Sequence, residues 1–311
     1  MRKFIVSDIH GNGDIYDSIM GYLDNIGVSE DVELFINGDL IDRGPDSFRI
    51  IMDVKERIQG TGNVKINYLG GNHELMMYNA LRKKRPGKRI GRLNSWMLNG
   101  GWPIENELAA REDGDELGSK LKDFVGDLKV YHVFDETIEN RKILLVHAQA
   151  PKRAKRYEKL YIKDNNIVVD KAVWTRREKT DLFTYGVKSL MDLNRVGLDP
   201  YFTIVGHTPV SNEDGFEYNK KEHYLNIDGG CAGYAIGRYE YNHVPLVEVR
   251  DNFLELLIFN HNNEIVKGYF FNGNFYQMKE LELEYRKMFL NPKYNEQEKV
   301  YRMKIREKLD S

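Results

Sequence analysis

The chain has 311 residues and one cysteine, with 41% apolar and 30% charged residues and a formal net charge of −2. This length can bury a sizeable core, the near-neutral charge favours no particular class of partner, and the single Cys231 excludes an internal disulfide. No apolar stretch approaches the roughly 18 residues that span a bilayer, and the first apolar run stops at Ser7, so we expect a cytoplasmic protein without membrane contact.

Short apolar runs rich in β-forming residues recur in the first two thirds of the chain, and each is followed by a polar loop with candidate ligands. These runs are Phe4 to Val6, Leu34 to Ile36, Ile66 to Leu69, Ile143 to Val146 and Phe202 to Val205. Helix-like segments between the early runs are Ile15 to Ile26, Ser47 to Ile58 and Glu74 to Leu81. The pattern predicts strand-loop-helix units with the candidate ligands at the carboxyl ends of strands, as α/β folds favour.

Closely spaced strand candidates with Asn/Gly turns fill the later part of the chain and predict a largely antiparallel sheet. They are Tyr224 to Ile227, Tyr234 to Tyr239, Val244 to Val249, Phe253 to Phe259 and Ile265 to Phe271. From about Tyr276 the pattern becomes helical until Pro292. We therefore expect one main domain over residues 1–275 and a C-terminal helical extension over residues 276–311.

A carboxylate and an imidazole follow the first predicted strand. In extended chain, residues two apart point the same way, so Asp8 and His10 converge on one point, as two metal ligands do. An isolated Asp-x-His is more often a solvated turn, and the assignment rests on the blocks that follow.

The loop after the second predicted strand contains Gly38-Asp39-Leu40-Ile41-Asp42-Arg43-Gly44. The Asp39 carboxylate is suited to bridging two cations about 3.5–4 Å apart, as in two-metal hydrolytic sites. A helix N-cap is the alternative role for Asp39, and Asp42 is a candidate for that cap as well.

Neighbouring side chains after the third predicted strand point to opposite sides. The Asn72 amide oxygen is a legitimate metal ligand, which leaves His73 free to deliver a proton with Asp42 as its orienting partner. His147 and His207 end two later strands. Either would alone be an ordinary loop histidine, but together with the upstream blocks they indicate metal binding.

These blocks resemble the phosphoprotein phosphatase family of the calcineurin-like metallophosphoesterases, whose pattern is G-D-x-H-G, G-D-x-x-D-R-G, G-N-H-[DE], a strand-end His and G-H-T. The segment Trp96-Met97-Leu98-Asn99-Gly100-Gly101 is similar to the W-x-x-N-G-G of bacterial and phage members. Matched segments run from Asp8 to His207, and Asp228-Gly229-Gly230 resembles the closing turn. One departure is Ser7, where the family usually has Gly.

The resemblance implies a fold of two packed mixed β-sheets flanked by helices, an α/β (α+β) sandwich with layers αββα. It also implies two metal ions, one held by Asp8, His10 and Asp39 and the other held by Asp39, Asn72, His147 and His207. The implied catalytic residues are Arg43 for phosphate, His73 with Asp42 as the acid pair, and a second phosphate-binding arginine. Val173-Trp174-Thr175-Arg176 resembles its W-x-R setting, so Arg176 is our choice, with Arg177 the open alternative.

The expected reaction is hydrolysis of a phosphate ester by a hydroxide shared between two metal ions, attacking in line with the leaving oxygen. Imidazole, carboxylate and amide ligands suit Mn best, with Fe or Zn as alternatives. We expect a serine/threonine-type or broad-specificity phosphoprotein phosphatase acting on phosphorylated proteins, peptides or small phosphoesters. The alternatives are a dinucleoside-polyphosphate hydrolase or nucleotidase and, third, a noncatalytic binding module.

Two basic clusters begin close to predicted ligands and could line the rim of the site. They are Arg82, Lys83, Lys84, Arg85, Lys88, Arg89 and Arg92, and Lys152, Arg153, Lys155 and Arg156. One interpretation is a rim that favours polyanionic substrates, including RNA ends; the other is a solvated face without a role in catalysis.

Overall fold

The computed structural model describes residues 1–82, 95–150, 159–175, 201–210, 215–219, 223–235, 243–250, 253–260, 265–271 and 274–277. For residues 234–235, 260, 265–271 and 274–277 the description is limited to the backbone. No helix in this part of the chain is long and apolar enough to cross a membrane.

Within the described ranges, twelve strands form a seven-stranded and a five-stranded sheet. The strands are β1 (Arg2–Val6), β2 (Val32–Asn37), β3 (Val64–Leu69), β4 (Tyr131–Ile138), β5 (Arg141–Val146), β6 (Tyr201–Val205), β7 (Glu217–Asn219), β8 (Tyr224–Asn226), β9 (His243–Arg250), β10 (Phe253–Asn260), β11 (Ile265–Phe271) and β12 (Asn274–Gln277). The helices are α1 (Gly13–Gly27), α2 (Ser47–Gln59), α3 (Asn72–Leu81), α4 (Trp102–Ala110), α5 (Gly114–Gly126), α6 (Ile167–Trp174) and α7 (Cys231–Ala235), with a 3₁₀ turn at Ile162–Asp164.

The seven-stranded sheet has the order β12-β11-β10-β9-β1-β2-β3, and the five-stranded sheet has the order β4-β5-β6-β8-β7. β1, β2 and β3 are parallel and are connected through α1 and α2, whereas β9 to β12 pair antiparallel. In the smaller sheet β5, β6 and β8 are parallel, and β4 and β7 are antiparallel edge strands. Both sheets are therefore mixed, as predicted.

The strands in the middle of each sheet, such as β2 and β6, are buried on both faces, which explains why they read as continuous apolar runs. Ile5 and Phe35 of the larger sheet share one buried cluster with Leu145 and Phe202 of the smaller sheet. Phe4, on the opposite face of β1, belongs to a second cluster that includes the apolar side of α1. The layers are helices, sheet, sheet and helices, which confirms the expected αββα sandwich.

The five early strand predictions and the three early helix predictions agree with observed elements, and so do four of the five later strand predictions. The predicted strand from Tyr234 to Tyr239 is wrong at its start, because residues 231–235 form α7. The Gly230 carbonyl accepts the Gly233 amide at 2.9 Å, so a helical turn begins directly after the glycine-rich loop. Tyr276 lies in β12, and the predicted helical extension beyond residue 277 lies outside the described residues.

Candidate metal centre

The candidate ligands meet where the parallel strands of both sheets end. The loops after β1, β2 and β3 lie beside the loops after β5 and β6, since the Gly206 amide donates to the His147 carbonyl at 2.8 Å and the His207 amide donates to the Asp8 carboxylate at 3.1 Å. Asp39 and Asn72 belong to the same edge, and both are buried. The site follows the rule that α/β sheets place ligands beyond the carboxyl ends of strands.

The backbone of these loops is unusually strained. Six of the ten non-glycine residues with positive φ in the described chain lie here, among them Asp8 at 56°, His10 at 49°, Asp39 at 50° and His207 at 69°. Each such conformation costs about 1–3 kcal/mol and persists because its surroundings fix it. The fixing contacts link the first two loops: the His10 amide donates to the Asp39 carbonyl at 3.0 Å, and the Asp8 amide donates to the Gly38 carbonyl at 3.2 Å.

The first group of candidate ligands surrounds His10. Its Nδ1 donates to the Ile41 carbonyl at 3.1 Å, which leaves Nε2 as the acceptor nitrogen. Nε2 lies 3.6 Å from Asp39 Oδ2 and 4.0 Å from Asp8 Oδ1. The Asp8 carboxylate is buried and is oriented by the His207 amide and by the neighbouring Ser7 hydroxyl.

The second group shares Asp39 with the first. His147 Nδ1 donates to the Asn37 carbonyl at 2.8 Å, and His147 Nε2 lies 3.1 Å from Asn72 Oδ1 and 3.3 Å from Asp39 Oδ1. The His207 ring lies 5.1 Å from the His147 ring, centroid to centroid. His207 Nε2 donates to the Trp174 carbonyl at 3.2 Å, so Nδ1 is its acceptor nitrogen. Asp39, His147 and His207 each offer a ligand atom within 4.8 Å of the others.

The donor set fits cations. With Nδ1 of His147 bonded to a carbonyl, its Nε2 lone pair faces the oxygens of Asp39 and Asn72, and such acceptors repel each other unless a proton or a cation lies between them. The same arrangement holds at His10, whose acceptor nitrogen faces two carboxylates. Because Asp39 presents one oxygen to each group, it is the residue placed to join two cation sites.

The electrostatics of the buried site also call for positive charge. Burial lowers the pKa of His147, but the carboxylates of Asp39 and Asp8 more than offset this and raise it to about 10. Burial raises the pKa of Asp39, but His147 and His73 hold it well below its usual range. Burial, followed by the charge of Asp228, raises the pKa of Asp8 well above its usual value. The carboxylates of this buried site thus favour a positive charge beside them, which a bound cation can supply.

The predicted acid pair is assembled beside the first group. His73 Nδ1 lies 2.7 Å from Asp42 Oδ2, and the Arg43 guanidinium donates to His73 Nε2 at 3.2 Å, which places the ring proton on Nδ1. The His73 ring meets the His10 ring edge-on, with centroids 4.7 Å apart. Burial raises the pKa of Asp42, although hydrogen bonds from His73 and Trp96 oppose the shift.

Glu74 joins the second loop to the third, a role that the sequence analysis did not assign. Its carboxylate accepts the amides of Asp39 at 2.9 Å, Leu40 at 3.2 Å and Gly71 at 2.7 Å, and the Tyr68 hydroxyl at 2.6 Å. The Asp39 carboxylate in turn accepts the His73 amide at 3.0 Å. The two loops therefore exchange carboxylate bonds across the N-terminus of α3, where the helix dipole favours negative charge.

Two further residues at the site were missed, although each lies in a segment that the sequence analysis singled out. Trp96 donates its indole N–H to Asp42. Asp228 is buried, which raises its pKa to about 6; the Gly230 amide opposes this shift and the charge of Asp39 adds to it. Asp42 lies 54 residues from Trp96, and Asp39 is also far from Asp228 in the sequence, so motif spacing carried no signal for these contacts.

Part of the prediction lies outside the described residues. Arg176 and Arg177 fall in residues 176–200, and the two basic clusters fall in residues 83–94 and 151–158, apart from Arg82 at the end of α3. Of the W-x-R segment, Trp174 is described, and its carbonyl orients His207. The assignment of Arg176 as the second phosphate-binding residue stays a prediction.

The family model for calcineurin-like phosphoesterases matches residues 1–229 of the chain. Among solved structures, a protein serine/threonine phosphatase from Saccharomyces cerevisiae with similarity to human phosphatase PP5 aligns with a TM-score of 0.50 and 13% identity over 79% of this chain and 72% of that chain. A protein to which diadenosine tetraphosphatase activity has been ascribed aligns with a TM-score of 0.43 and 16% identity, covering 88% and 95%.

A cold-active protein tyrosine phosphatase aligns with a TM-score of 0.41 and 15% identity over 91% of this chain and 80% of that chain. No curated protein matches the sequence. At these identities the structural likeness concerns the fold, while the family match covers most of the chain, including the loops from Asp8 to His207 and the turn at Asp228. The chain belongs to the calcineurin-like phosphoesterase family.

Proposed function

We propose that the chain is a metal-dependent phosphoric monoester hydrolase whose substrates are phosphorylated serine and threonine residues of proteins. The observation that carries the proposal is the position of one imidazole: His73 is bonded to the Asp42 carboxylate on one side and to the Arg43 guanidinium on the other, and it adjoins the candidate metal ligand His10. The residues proposed as proton donor, phosphate-binding group and metal ligand thus adjoin one another.

The candidate metal ligands divide into two sets that share Asp39. The first set would be Asp8, His10 and Asp39, and the second would be Asp39, Asn72, His147 and His207. The ligand atoms within 4.8 Å of one another are those of Asp39, His147 and His207 in the second set and those of His10, Asp39 and His73 around the first. When bound, two divalent ions such as Mn would supply a water of lowered pKa and neutralise charge on the phosphoryl oxygens. The hydrogen bonds from His10 and His147 to backbone carbonyls hold each ring with its acceptor nitrogen toward the carboxylates.

Arg43 would bind the phosphoryl oxygens of the substrate with its forked N–H groups. Its guanidinium lies at His73 Nε2, so a phosphate bound there would reach both residues. Asp42 keeps the His73 ring in the orientation that points Nε2 at the leaving oxygen. Nε2 accepts from Arg43 in the structure, so His73 would first take up a proton at Nε2 in place of that bond. The resulting imidazolium would pass this proton to the leaving oxygen. Arg176 would be the second phosphate-binding arginine.

The acid pair supports an ester of an alcohol as the substrate. Serine and threonine leave as alkoxides, which are strongly basic and need a proton in the transition state. The leaving phosphate of a dinucleoside polyphosphate is far less basic, so a proton donor contributes less to its release. An oriented imidazole–carboxylate pair is therefore of greater use to a phosphoprotein phosphatase than to a dinucleoside-polyphosphate hydrolase.

A substrate comparison with the purified full-length chain tests the proposal. The experiment measures turnover with Mn²⁺, Fe²⁺ or Zn²⁺. The substrates are phosphoserine and phosphothreonine peptides, p-nitrophenyl phosphate, bis(p-nitrophenyl) phosphate and diadenosine tetraphosphate. We expect metal-dependent release of phosphate from the peptides and from p-nitrophenyl phosphate, and little hydrolysis of the diester. Preferred turnover of diadenosine tetraphosphate would replace the proposed substrate class, and binding of metal with no turnover of any ester would leave a binding module.

A further inference from the structure

The segment over residues 95–101 lies against the acid pair. Trp96 is fully buried, and its indole N–H lies 3.0 Å from Oδ1 and 2.9 Å from Oδ2 of Asp42. The Asp42 carboxylate thereby accepts two N–H groups, that of Trp96 and that of His73, whose Nδ1 lies 2.7 Å from Asp42 Oδ2. An indole has one donor and no acceptor, so this contact consumes the only polar group of Trp96.

The backbone holds the indole in place from the other end of the segment. The Gly100 carbonyl accepts the Arg43 amide at 2.8 Å, and Gly100 has a φ of 98°, a conformation that other residues rarely adopt. A Cβ on Gly101 would lie 2.5 Å from the indole ring of Trp96, so the chain folds directly over that ring. The segment is thus bonded to Asp42 through a side chain and to Arg43 through the main chain.

We propose that Trp96 is a positioning residue for the acid pair: its indole N–H holds the Asp42 carboxylate in the orientation in which Asp42 binds His73. This inference rests on the proposed function, since it gives Trp96 a part in proton donation to the leaving group. A buried carboxylate with only one donor is free to rotate about its last bond and to lose its bond to the imidazole. Trp96 removes that freedom without touching the substrate.

The first experiment compares Trp96→Phe with Trp102→Phe in the full-length chain. Trp102 is a half-exposed indole in the same region and is the matched control. We expect Trp96→Phe to lower kcat on a phosphoserine peptide by about 10- to 100-fold, the range for loss of an orienting partner, with KM and Mn content near wild type. The loss on p-nitrophenyl phosphate should be smaller, because p-nitrophenolate leaves readily without a proton. Trp102→Phe should change neither rate.

The second experiment does not depend on activity. The proton between His73 Nδ1 and Asp42 should give a far-downfield proton NMR resonance that His73→Asn removes and thereby assigns. We expect this resonance to shift or to broaden by exchange with water in Trp96→Phe and to persist in Trp102→Phe. Should Trp96→Phe fail to fold, benzothienylalanine incorporated at position 96 alone keeps the shape of the ring, replaces N–H by sulfur and takes its place in both experiments.

The outcomes separate the two proposals. A wild-type chain that hydrolyses no phosphate ester refutes the proposed function, while the NMR comparison still tests the role of Trp96. A wild-type chain that hydrolyses both esters, together with a variant at position 96 that loses the same factor on each, overturns the positioning role. An unchanged His73 resonance in that variant overturns it as well, whatever the rates.

Discussion

The two sheets contribute to the metal centre in different ways. On the side of the seven-stranded sheet, three successive loops bond to one another: the first two through backbone amides and carbonyls, and the second and third through the carboxylate of Glu74. On the side of the five-stranded sheet, each histidine ring bonds to a backbone carbonyl from another part of the chain: His147 to that of Asn37 in β2, and His207 to that of Trp174 in α6.

On the first side, the loops of the seven-stranded sheet hold one another in place. On the second side, the histidines of the five-stranded sheet depend on how the two sheets pack together. The first three loops lie within one run of strand-loop-helix units, and their contacts need only β1, β2 and β3 in register. The ring of His147 takes its orientation from the other sheet, so any change in how the sheets pack displaces this ligand. Substitutions on the first side should therefore remove chemistry or metal, and substitutions between the sheets should cost stability first.

Asp39→Asn should have the largest effect, because Asp39 presents an oxygen to both ligand groups. The amide cannot supply two charged oxygens, so we expect the variant to bind neither metal ion. Its turnover should fall by more than the about 10- to 100-fold that follows the loss of an orienting partner. Metal content by mass spectrometry and phosphate release in Mn buffer measure the two effects. Asp135→Asn, at a residue whose side chain is 97% exposed, is the control. Wild-type metal content in Asp39→Asn would contradict the shared-ligand assignment.

His73→Asn should follow, because it removes the proton donor and leaves the metal ligands in place. We expect phosphoserine turnover to fall by about 10²- to 10⁴-fold, the usual contribution of general acid catalysis, with a smaller loss on p-nitrophenyl phosphate. His223→Asn, at the amino end of β8 and thus opposite the site, should match wild type. Equal losses on the two esters would remove His73 from the acid role.

Glu74→Gln should weaken metal binding by changing the hydrogen bonds that hold the backbone of the Asp39 loop. Glutamine offers a single oxygen, so its NH2 group must face either the amides of Asp39 and Gly71 or the donors on the other oxygen, the Leu40 amide and the Tyr68 hydroxyl. In either orientation the loop loses bonds from this side chain, and we expect the loop to shift and Asp39 with it. We expect Mn²⁺ affinity to fall by about 10- to 100-fold in calorimetric titration. Tyr68→Phe removes one donor to the same carboxylate but keeps the backbone bonds, and its affinity should fall less. Equal affinities for Glu74→Gln and wild type would show that the bonds from Glu74 do not position Asp39.

The sequence predicted the site residues of the larger sheet better than those of the smaller sheet. The three loops of the larger sheet were found because each is a compact block directly after an apolar run, and local spacing is what a single sequence shows. His147 and His207 carried only their positions at strand ends, and the resemblance supplied the rest. The carbonyls of Asn37 and Trp174, which orient them, belong to residues 110 and 33 positions away along the chain.

The contacts of Trp96 and Glu74 escaped prediction for a related reason. A side chain that orients another through a hydrogen bond has no characteristic neighbour in sequence: Trp96 lies 54 residues from Asp42, and Glu74 lies 35 residues from Asp39. The strand predicted from Tyr234 failed differently, because an apolar run of small and aromatic residues fits a helical turn as well as a strand.

Asn37→Ala should have the smallest effect on metal binding and tests the dependence of the second side on sheet packing. The Asn37 amide donates to the Val146 carbonyl at 3.2 Å and so ties the end of β2 to the end of β5. Losing this buried bond should lower the free energy of unfolding by about 1–3 kcal/mol. The Asn37 backbone carbonyl that orients His147 remains, so Mn²⁺ affinity should fall less than in Glu74→Gln.

Asn67→Ala is the matched control for this tie, since Asn67 donates at 2.8 Å to Glu33 within one sheet rather than between sheets. Urea unfolding and Mn²⁺ titration of the two variants separate the contributions. If the position of His147 depends on sheet packing, Asn37→Ala lowers the Mn²⁺ affinity of the site that contains His147 and leaves the other site unchanged. Asn67→Ala should change the free energy of unfolding alone. If Asn37→Ala instead lowers the Mn²⁺ affinity of both sites by the same factor, the displacement reaches Asp39 as well. The two sides of the metal centre would then move together.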